Sequence, residues 1–142
     1  MKESIVILTG GGPAPGVNTV IGTVSKVFLK SGYHVIGIHE GYKTLFSDEP
    51  NITDIEFRLA DNIYKTGGSF LQMSRYKPKE EEFNTRFFTK HNVKLLVTIG
   101  GDDTASTANK ISMFLQENRL DVKNIHVPKT IDNDLPLPEG QT

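Results

Sequence analysis

Four short segments of the chain carry residue types that could handle a phosphoryl group. They are GGGPAPG at 10–16, GGSFLQMSR at 67–75, GGDDT at 100–104 and PKTIDND at 128–134. Glycine-rich backbone at a helix N-terminus offers free N–H groups and a favourable dipole to a phosphate. Carboxylates bind hard divalent cations such as Mg²⁺, and basic side chains neutralise charge on a transferring group. These residue types together predict a site for a phosphorylated ligand and a cation.

The first segment could cradle a phosphate, but its pattern has more than one interpretation. It lacks the GxxxxGK[ST] spacing of a P-loop. It also fails the GxGxxG pattern, because Gly10 and Gly12 are not followed by a glycine at the sixth position. A plain glycine turn between a strand and a helix explains this segment equally well.

The third segment places two carboxylates, Asp102 and Asp103, where a strand is expected to end and a helix to begin. One aspartate at such a position is explained as a helix N-cap, which stabilises a helix by about 1 kcal/mol. Two carboxylates beside paired glycines are more typical of a site for a cation with oxygen ligands. We therefore predict that this segment holds Mg²⁺ shared with a phosphate.

The other two segments add basic groups and further carboxylates. Lys129 could neutralise charge on a transferring group, and Asp132 or Asp134 could take the proton of a sugar hydroxyl. A polar turn with local hydrogen bonds is the alternative interpretation of 128–134. Arg75 could bind phosphate oxygens in a bidentate manner, although a single arginine is also commonly a solvated surface charge.

Apolar patterning predicts the framework that positions these segments. Strands are predicted at 4–8, 33–38, 94–99 and 124–127, and helices at 17–30, 79–91 and 104–116. Residues 39–75 are predicted to be mostly loops with a minor strand or helix. Alternating strands and helices predict an α/β fold, a three-layer Rossmann-like parallel sheet with helices on both faces. Ligands bind at the carboxyl ends of strands in such sheets, where three of the four segments lie.

Composition excludes several other classes of function. A net charge of −1, from 16 basic and 17 acidic residues, gives no field that would attract nucleic acid or an anionic membrane. The absence of cysteine removes disulfides, thiolate catalysis and zinc–thiolate sites. Only a short apolar run precedes the first glycines, so no signal peptide or membrane span is predicted and a cytoplasmic location is expected. The histidines show no metal-ligand spacing and receive no role.

In this order and spacing, the four segments resemble the phosphofructokinase family over almost the whole chain. The resemblance implies that Gly11 contacts the donor phosphates, that Arg75 bridges them and that Asp102 holds Mg²⁺. The donor-phosphate site is expected to comprise Gly11, Arg75, Asp103, Thr104 and Lys129.

The same resemblance assigns the sugar side of the reaction to 128–134. Asp132 would take the proton from the C1 hydroxyl of fructose 6-phosphate, with Asp134 supporting it. Thr130 would lie near the sugar phosphate, and Lys129 would contribute to catalysis. Pyrophosphate or ATP, fructose 6-phosphate and Mg²⁺ are therefore the expected ligands, and the full-length enzyme is expected to be a homo-oligomer.

Two positions favour pyrophosphate over ATP as the donor. In ATP-dependent members of the family the residue matching Asp103 is typically glycine, which leaves room for the α-phosphate. A carboxylate there opposes the α-phosphate by both its volume and its charge. Lys129 is characteristic of pyrophosphate-dependent members, although some ATP-dependent relatives share it. Asn133 is a mild departure, since many pyrophosphate enzymes have glycine at that place.

The domain expected from the resemblance is the donor-phosphate and Mg²⁺-binding N-terminal part, residues 1–142. The family continues into a second lobe that supplies most contacts to fructose 6-phosphate, and the sequence ends directly after the fourth segment. We therefore expect a truncated form whose activity in isolation is doubtful. An ATP-dependent enzyme and a non-catalytic phosphate-binding module or inert fragment are the two alternatives.

Overall fold

A computed structural model of the chain describes residues 2–11, 16–63, 70–72 and 74–128. The described strands, in chain order, are β1 Ser4–Thr9, β2 His34–Ile38, β3 Ile52–Ile55, β4 Val93–Gly100 and β5 Lys123–Pro128. The described α-helices are α1 Val17–Lys30, α2 Phe57–Asn62, α3 Arg86–Lys90 and α4 Asp102–Glu117, with a 3-10 turn at Glu80–Glu82. The strands form one sheet in the order β3-β2-β1-β4-β5.

The centre of the sheet is parallel, as the sequence predicts. β1 pairs in parallel with β2 and with β4, and β4 pairs in parallel with β5. β3 was not specifically predicted, and it pairs antiparallel with β2 at one edge of the sheet. Thr9 is opposite Ile99 and Gly100 is opposite Pro128, so β1, β4 and β5 end at the same edge. The third and fourth segments therefore start from neighbouring strand ends.

Buried side chains cover both faces of the sheet. On β1, Ile5 and Ile7 belong to a core that includes residues of α1 and α2, whereas Val6 and Leu8 belong to a core that includes residues of α3 and α4. All four β1 side chains are essentially inaccessible to solvent. Burying a side chain of this size contributes about 1.5–3 kcal/mol each. The helices thus lie on both faces, which confirms the predicted three-layer fold.

The end of α1 shows why its boundary could be predicted. Ser31 is the C-cap, and Gly32 follows it with a φ of +92°. The Gly32 N–H donates to the Leu29 carbonyl and the Tyr33 N–H donates to the Phe28 carbonyl, each at 3.1 Å. This pair of bonds is the Schellman arrangement that a glycine after the last turn favours.

The predicted helix at 79–91 is replaced by the 3-10 turn and the short helix α3. The interruption lies at Asn84, whose Oδ1 accepts a hydrogen bond from the Arg86 N–H at 3.2 Å. Its Nδ2 donates to the Phe46 and Glu82 carbonyls at 3.1 Å. An asparagine that bonds to nearby backbone competes with helical hydrogen bonds. Phe87 and Phe88 are still buried in the core, as predicted. Among the described residues, no helix is long and apolar enough to cross a membrane.

Candidate functional site

A cavity of about 140 Å³ opens at the carboxyl edge of the sheet, beside the ends of β1 and β4. It brings together residues from four separate stretches of the chain: Gly10, Gly11, Tyr42, Ser74, Arg75, Tyr76, Lys77, Asp103, Thr104 and Thr107. The cavity lies where ligands bind in parallel α/β sheets. It is the candidate functional site.

Arg75 reaches this cavity because its segment runs alongside the end of β1. Ser74 forms a parallel bridge with Gly10. The Gly11 N–H donates to the Ser74 carbonyl at 3.2 Å, and the Gly10 N–H donates to the Ile99 carbonyl at 2.9 Å. The Gly11 bond and the bridge hold Ser74 beside the end of β1, and the Gly10 bond joins the same place to β4. Arg75 follows Ser74 directly and has an exposed side chain.

The first turn of α4 approaches the sheet closely because two glycines leave space for Thr104. A Cβ on Gly10 would lie 2.3 Å from the Thr104 Oγ1, and a Cβ on Gly100 would lie 2.6 Å from the same atom. Thr104 is correspondingly buried. Gly10 of the first segment and Gly100 of the third segment therefore serve the packing of α4 against the sheet.

The structure of the start of α4 shows which residue is its N-cap. The cap residue is Gly101, which makes no side-chain cap hydrogen bond, and α4 begins at Asp102. Neither aspartate is therefore the N-cap, and both lie in the first turn, where the helix dipole favours a carboxylate. Both side chains are exposed and available to ligands.

Tyr42 contacts the first turn of α4 and helps to fix its position. Its hydroxyl donates a hydrogen bond of 2.7 Å to the Thr104 carbonyl, and the residue is buried. Burial raises the pKa of the Tyr42 phenol above its ordinary value, so the group stays neutral and remains a donor over the physiological range. The tyrosine reaches this place through a turn in which Glu40 and Gly41 both have positive φ.

Charged groups of both signs surround the cavity. The Asp103 carboxylate is 96% exposed, and the Lys77 ammonium lies 4.0 Å from its Oδ1. Tyr76, next to Lys77, donates from its hydroxyl to the Glu82 carboxylate at 2.7 Å. That bond raises the pKa of Tyr76, and it adds to the Lys79 N–H bond that lowers the pKa of Glu82. The segment after Arg75 is thereby tied to the 3-10 turn.

The structure brings together four of the residues predicted from the sequence. Gly11, Arg75, Asp103 and Thr104 all line the cavity. Asp102 precedes Asp103 at the start of α4 but does not line the cavity itself. The remaining predicted residues lie outside the described part of the chain: Lys129, Thr130, Asp132 and Asp134.

The end of β5 shows where the fourth segment begins. Pro128 pairs with Gly100, and Lys129 follows it in the sequence. His126 joins the two strands near this point, with Nδ1 2.8 Å from the Thr98 Oγ1 and Nε2 3.0 Å from the Gly100 carbonyl oxygen. His126 received no role from the sequence, and its contacts here are structural.

Whether the site suits Mg²⁺ can be tested on its donor set. Within the described ranges, no group of three or more acidic or histidine side chains could hold a metal alone. Mg²⁺ is, however, commonly bound by one or two carboxylates together with substrate phosphates and water. Asp102 and Asp103 are two exposed oxygen donors beside a cavity that also offers Arg75 to a phosphate. The residues fit a magnesium ion that arrives with a phosphorylated ligand.

Sequence reasoning missed five residues at this cavity: Tyr42, Ser74, Tyr76, Lys77 and Thr107. Ser74 lies in the second segment, but a serine side chain gives no signal that the backbone carbonyl will accept a hydrogen bond from the Gly11 N–H. Tyr42 lies in the part of the chain whose pattern indicated only loops. A tyrosine directly after a glycine in a polar stretch was the only signal, and it is a weak one.

The comparisons with known proteins agree with the geometry. The Phosphofructokinase family model matches residues 4–139. Pyrophosphate--fructose 6-phosphate 1-phosphotransferase of Thermotoga maritima is 43% identical over 145 aligned positions, covering 99% of this chain and 34% of that protein. ATP-dependent 6-phosphofructokinase of Tolumonas auensis is 36% identical over 139 positions, covering 95% of this chain and 41% of that protein.

A solved structure supports the fold. The crystal structure of pyrophosphate-dependent phosphofructokinase from Nitrosospira multiformis has a TM-score of 0.81 with this chain, at 22% sequence identity. The match covers 94% of this chain and 35% of that one. The chain spans about a third of the length of the first curated relatives it matches. With a family match over nearly its full length, the chain belongs to the phosphofructokinase family.

Proposed function

We propose that residues 1–142 form the donor-phosphate and Mg²⁺-binding part of an enzyme that phosphorylates fructose 6-phosphate from pyrophosphate. The observation that carries this proposal is the carboxylate of Asp103 beside Gly11 and Arg75 in one cavity. The 43% identity to the Thermotoga maritima pyrophosphate enzyme supports the same donor. Family membership alone does not distinguish between the two donors.

The proposed reaction is a direct phosphoryl transfer. The C1 hydroxyl oxygen of fructose 6-phosphate attacks one phosphorus of pyrophosphate, forming a new O–P bond. The bridging P–O bond breaks, and inorganic phosphate leaves with its electron pair. Asp132 accepts the hydroxyl proton, and Asp134 supports that carboxylate. The products are fructose 1,6-bisphosphate and phosphate.

The donor side of the reaction relies mainly on positioning and charge. The backbone at Gly11 and the guanidinium of Arg75 would hold the donor phosphates, with Thr104 at the cavity wall and Lys129 offsetting negative charge. Asp102 would hold Mg²⁺, which supplies further neutralisation of the phosphate oxygens when bound. Thr130 would contact the sugar phosphate. The place of Gly11, Arg75 and Thr104 in the cavity supports their proposed roles, whereas the roles of the other residues rest on the resemblance.

Donor choice follows from the position of Asp103. Its side chain is almost fully exposed at the cavity, and the resemblance places it where the α-phosphate of ATP would lie, so ATP would meet a carboxylate there. Like charges at close range oppose binding, whereas pyrophosphate has no further phosphate or nucleoside to accommodate. The carboxylate therefore acts against ATP more than against pyrophosphate.

A coupled assay of a full-length version with each donor tests this proposal. We expect turnover with Mg-pyrophosphate and little with Mg-ATP, and we expect Asp103→Gly to raise activity with ATP. Turnover of the wild type with ATP but not with pyrophosphate would contradict the proposed donor.

Two alternatives have observations in their favour. The Tolumonas auensis ATP-dependent enzyme matches 95% of this chain, which keeps ATP open as the donor, and the assay above separates the two. The cavity lined by Gly11 and Arg75 would also suit a non-catalytic phosphate-binding module, and an inert fragment is the remaining alternative. Calorimetric titration of the purified chain with Mg-pyrophosphate distinguishes these last two, since only a folded module would release or absorb heat of binding.

A further inference from the structure

Lys77 is a cationic residue of the cavity that the resemblance does not assign. Its ammonium lies 4.0 Å from the Asp103 Oδ1, and its side chain is 58% exposed. The 4.0 Å separation is long for an ion pair, so the two groups attract each other without a tight hydrogen bond. The ammonium retains donors that can bond to a ligand.

Lys77 determines the sign of the net charge of the side chains that line the cavity. The charged side chains among the described lining residues are two cations, Arg75 and Lys77, and one carboxylate, Asp103. Lys77 therefore gives this site a positive excess, which the protein as a whole does not have, since its net charge is −1. Without Lys77, Asp103 would cancel Arg75, and the described cavity would offer an anion no net attraction.

The backbone that carries Lys77 is held on both sides. Tyr76 is tied by its hydroxyl to Glu82, whose carboxylate also accepts the Lys79 N–H at 2.9 Å. Pro78, the next residue, is buried and restricts the backbone. The backbone at Lys77 is therefore held in place, which lowers the conformational entropy cost of binding a ligand.

We propose that Lys77 is a donor-binding residue: Asp103 keeps its ammonium at the cavity mouth, where it bonds to oxygens of pyrophosphate. This inference rests on the proposed function, because it names a further contact to the same donor. It explains how a site can carry the Asp103 carboxylate and still bind a highly charged anion. The carboxylate opposes a longer donor, and the lysine compensates for it toward a short one.

Steady-state kinetics and calorimetry on a full-length version test this contact. We expect Lys77→Met to raise both the KM and the Kd for Mg-pyrophosphate about five- to tenfold, with kcat and the KM for fructose 6-phosphate within about twofold. Lys77→Arg should retain most of the affinity, because the positive charge is kept. The difference between wild type and Lys77→Met should shrink at high salt, because exposed charges are screened.

Lys110→Met provides the matched control. Lys110 is an exposed lysine of α4 that does not line the cavity. An unchanged KM for pyrophosphate in Lys77→Met, or an equal change in Lys110→Met, would overturn the inference while leaving the proposed function intact. Absence of pyrophosphate binding and turnover in the wild type would overturn both.

Discussion

The two helices that begin at the carboxyl edge of the sheet, α1 and α4, have opposite chemistry in their first turns. Both follow glycine-containing segments at the ends of neighbouring strands, β1 and β4. Both have glycine at the N-cap and no side-chain cap. The first turn of α1 contains no acidic residue, whereas that of α4 contains Asp102 and Asp103.

The difference between the two first turns matches the ligand proposed above. A helix start without carboxylates leaves the positive end of its dipole available to an anion. A helix start with two carboxylates satisfies its own dipole and attracts a cation. Neighbouring starts of opposite chemistry suit a ligand that is itself an anion paired with a cation, such as Mg-pyrophosphate.

The largest expected effect comes from neutralising a carboxylate in the first turn of α4, the helix start that would attract the cation. Asp102→Asn in a full-length version should lower kcat by about a hundredfold or more, because the proposed magnesium ligand loses its charge. The helix should remain intact, since Asp102 is not the N-cap. The coupled assay measures the loss, and circular dichroism serves as the folding control. Wild-type kcat in this variant would remove the basis for the comparison.

The next largest effect is expected from a substitution that disturbs the close approach of α4 to the sheet. Gly10→Ala should destabilise the fold by about 1–3 kcal/mol, because the new Cβ would lie 2.3 Å from the buried Thr104 Oγ1. Chemical denaturation measures the change in the free energy of unfolding. Gly101→Ser is the matched control, because a Cβ there meets nothing within 4 Å and serine is a favourable N-cap. Equal stability of both variants would contradict the packing argument.

Removing the tie between Tyr42 and α4 should have a smaller effect. Tyr42→Phe should cost about 1 kcal/mol of stability, because it loses one buried hydrogen bond to the Thr104 carbonyl. It should also weaken pyrophosphate binding more than Tyr33→Phe does, since Tyr33 is not at the cavity. Thermal unfolding and calorimetry measure the two effects. A Tyr42→Phe variant with unchanged stability would show that the tie contributes nothing.

The same tyrosine predicts a dependence on pH. Burial raises the pKa of Tyr42 in the folded state above its ordinary value of 10.0. The neutral phenol is therefore favoured by folding, so its contribution is fully present below about pH 10 and is lost as pH rises further. We expect the stability difference between wild type and Tyr42→Phe to shrink above pH 10, measured by denaturation at a series of pH values. A difference that grows with pH would contradict this sign.

The smallest effect comes from giving α1 a carboxylate of its own. Thr19 is exposed in the first turn of α1. Thr19→Glu should stabilise the fold by about 0.3–1 kcal/mol through the helix dipole, relative to Thr19→Gln. It should also weaken Mg-pyrophosphate binding by about two- to threefold, because it adds a negative charge at the edge of the sheet where the cavity lies. Stronger binding in Thr19→Glu would mean that the two helix starts do not differ in the way described.

Much of the framework could be predicted because its elements have long, regular patterns. The apolar stripe of α1 and the β-branched runs of β1 and β4 lie within a few residues of their predicted bounds. β3 and α2 could not be placed, because they are only four and six residues long and lie in a stretch of mixed period. The helix predicted at 79–91 failed because the side chain of Asn84 bonds to nearby backbone.

The site was partly predictable for a related reason. Asp103 and Gly11 follow strand ends, and parallel strands bring their ends to one edge. Arg75 was assigned by resemblance, and its arrival at the cavity depends on a backbone bridge that no side-chain pattern encodes. Lys77 and Tyr42 were missed because their roles depend on contacts with Asp103 and Thr104 that are remote in sequence.

The bond from Tyr42 to Thr104 spans 62 positions of the chain, and it has a consequence for the order of events during synthesis. This contact cannot form before Thr104 has left the ribosome. β1, α1 and β2 can assemble earlier, but the cavity is complete only after the residues of α4 that line it have emerged. The cavity is therefore completed in a step distinct from the formation of the first strands of the sheet.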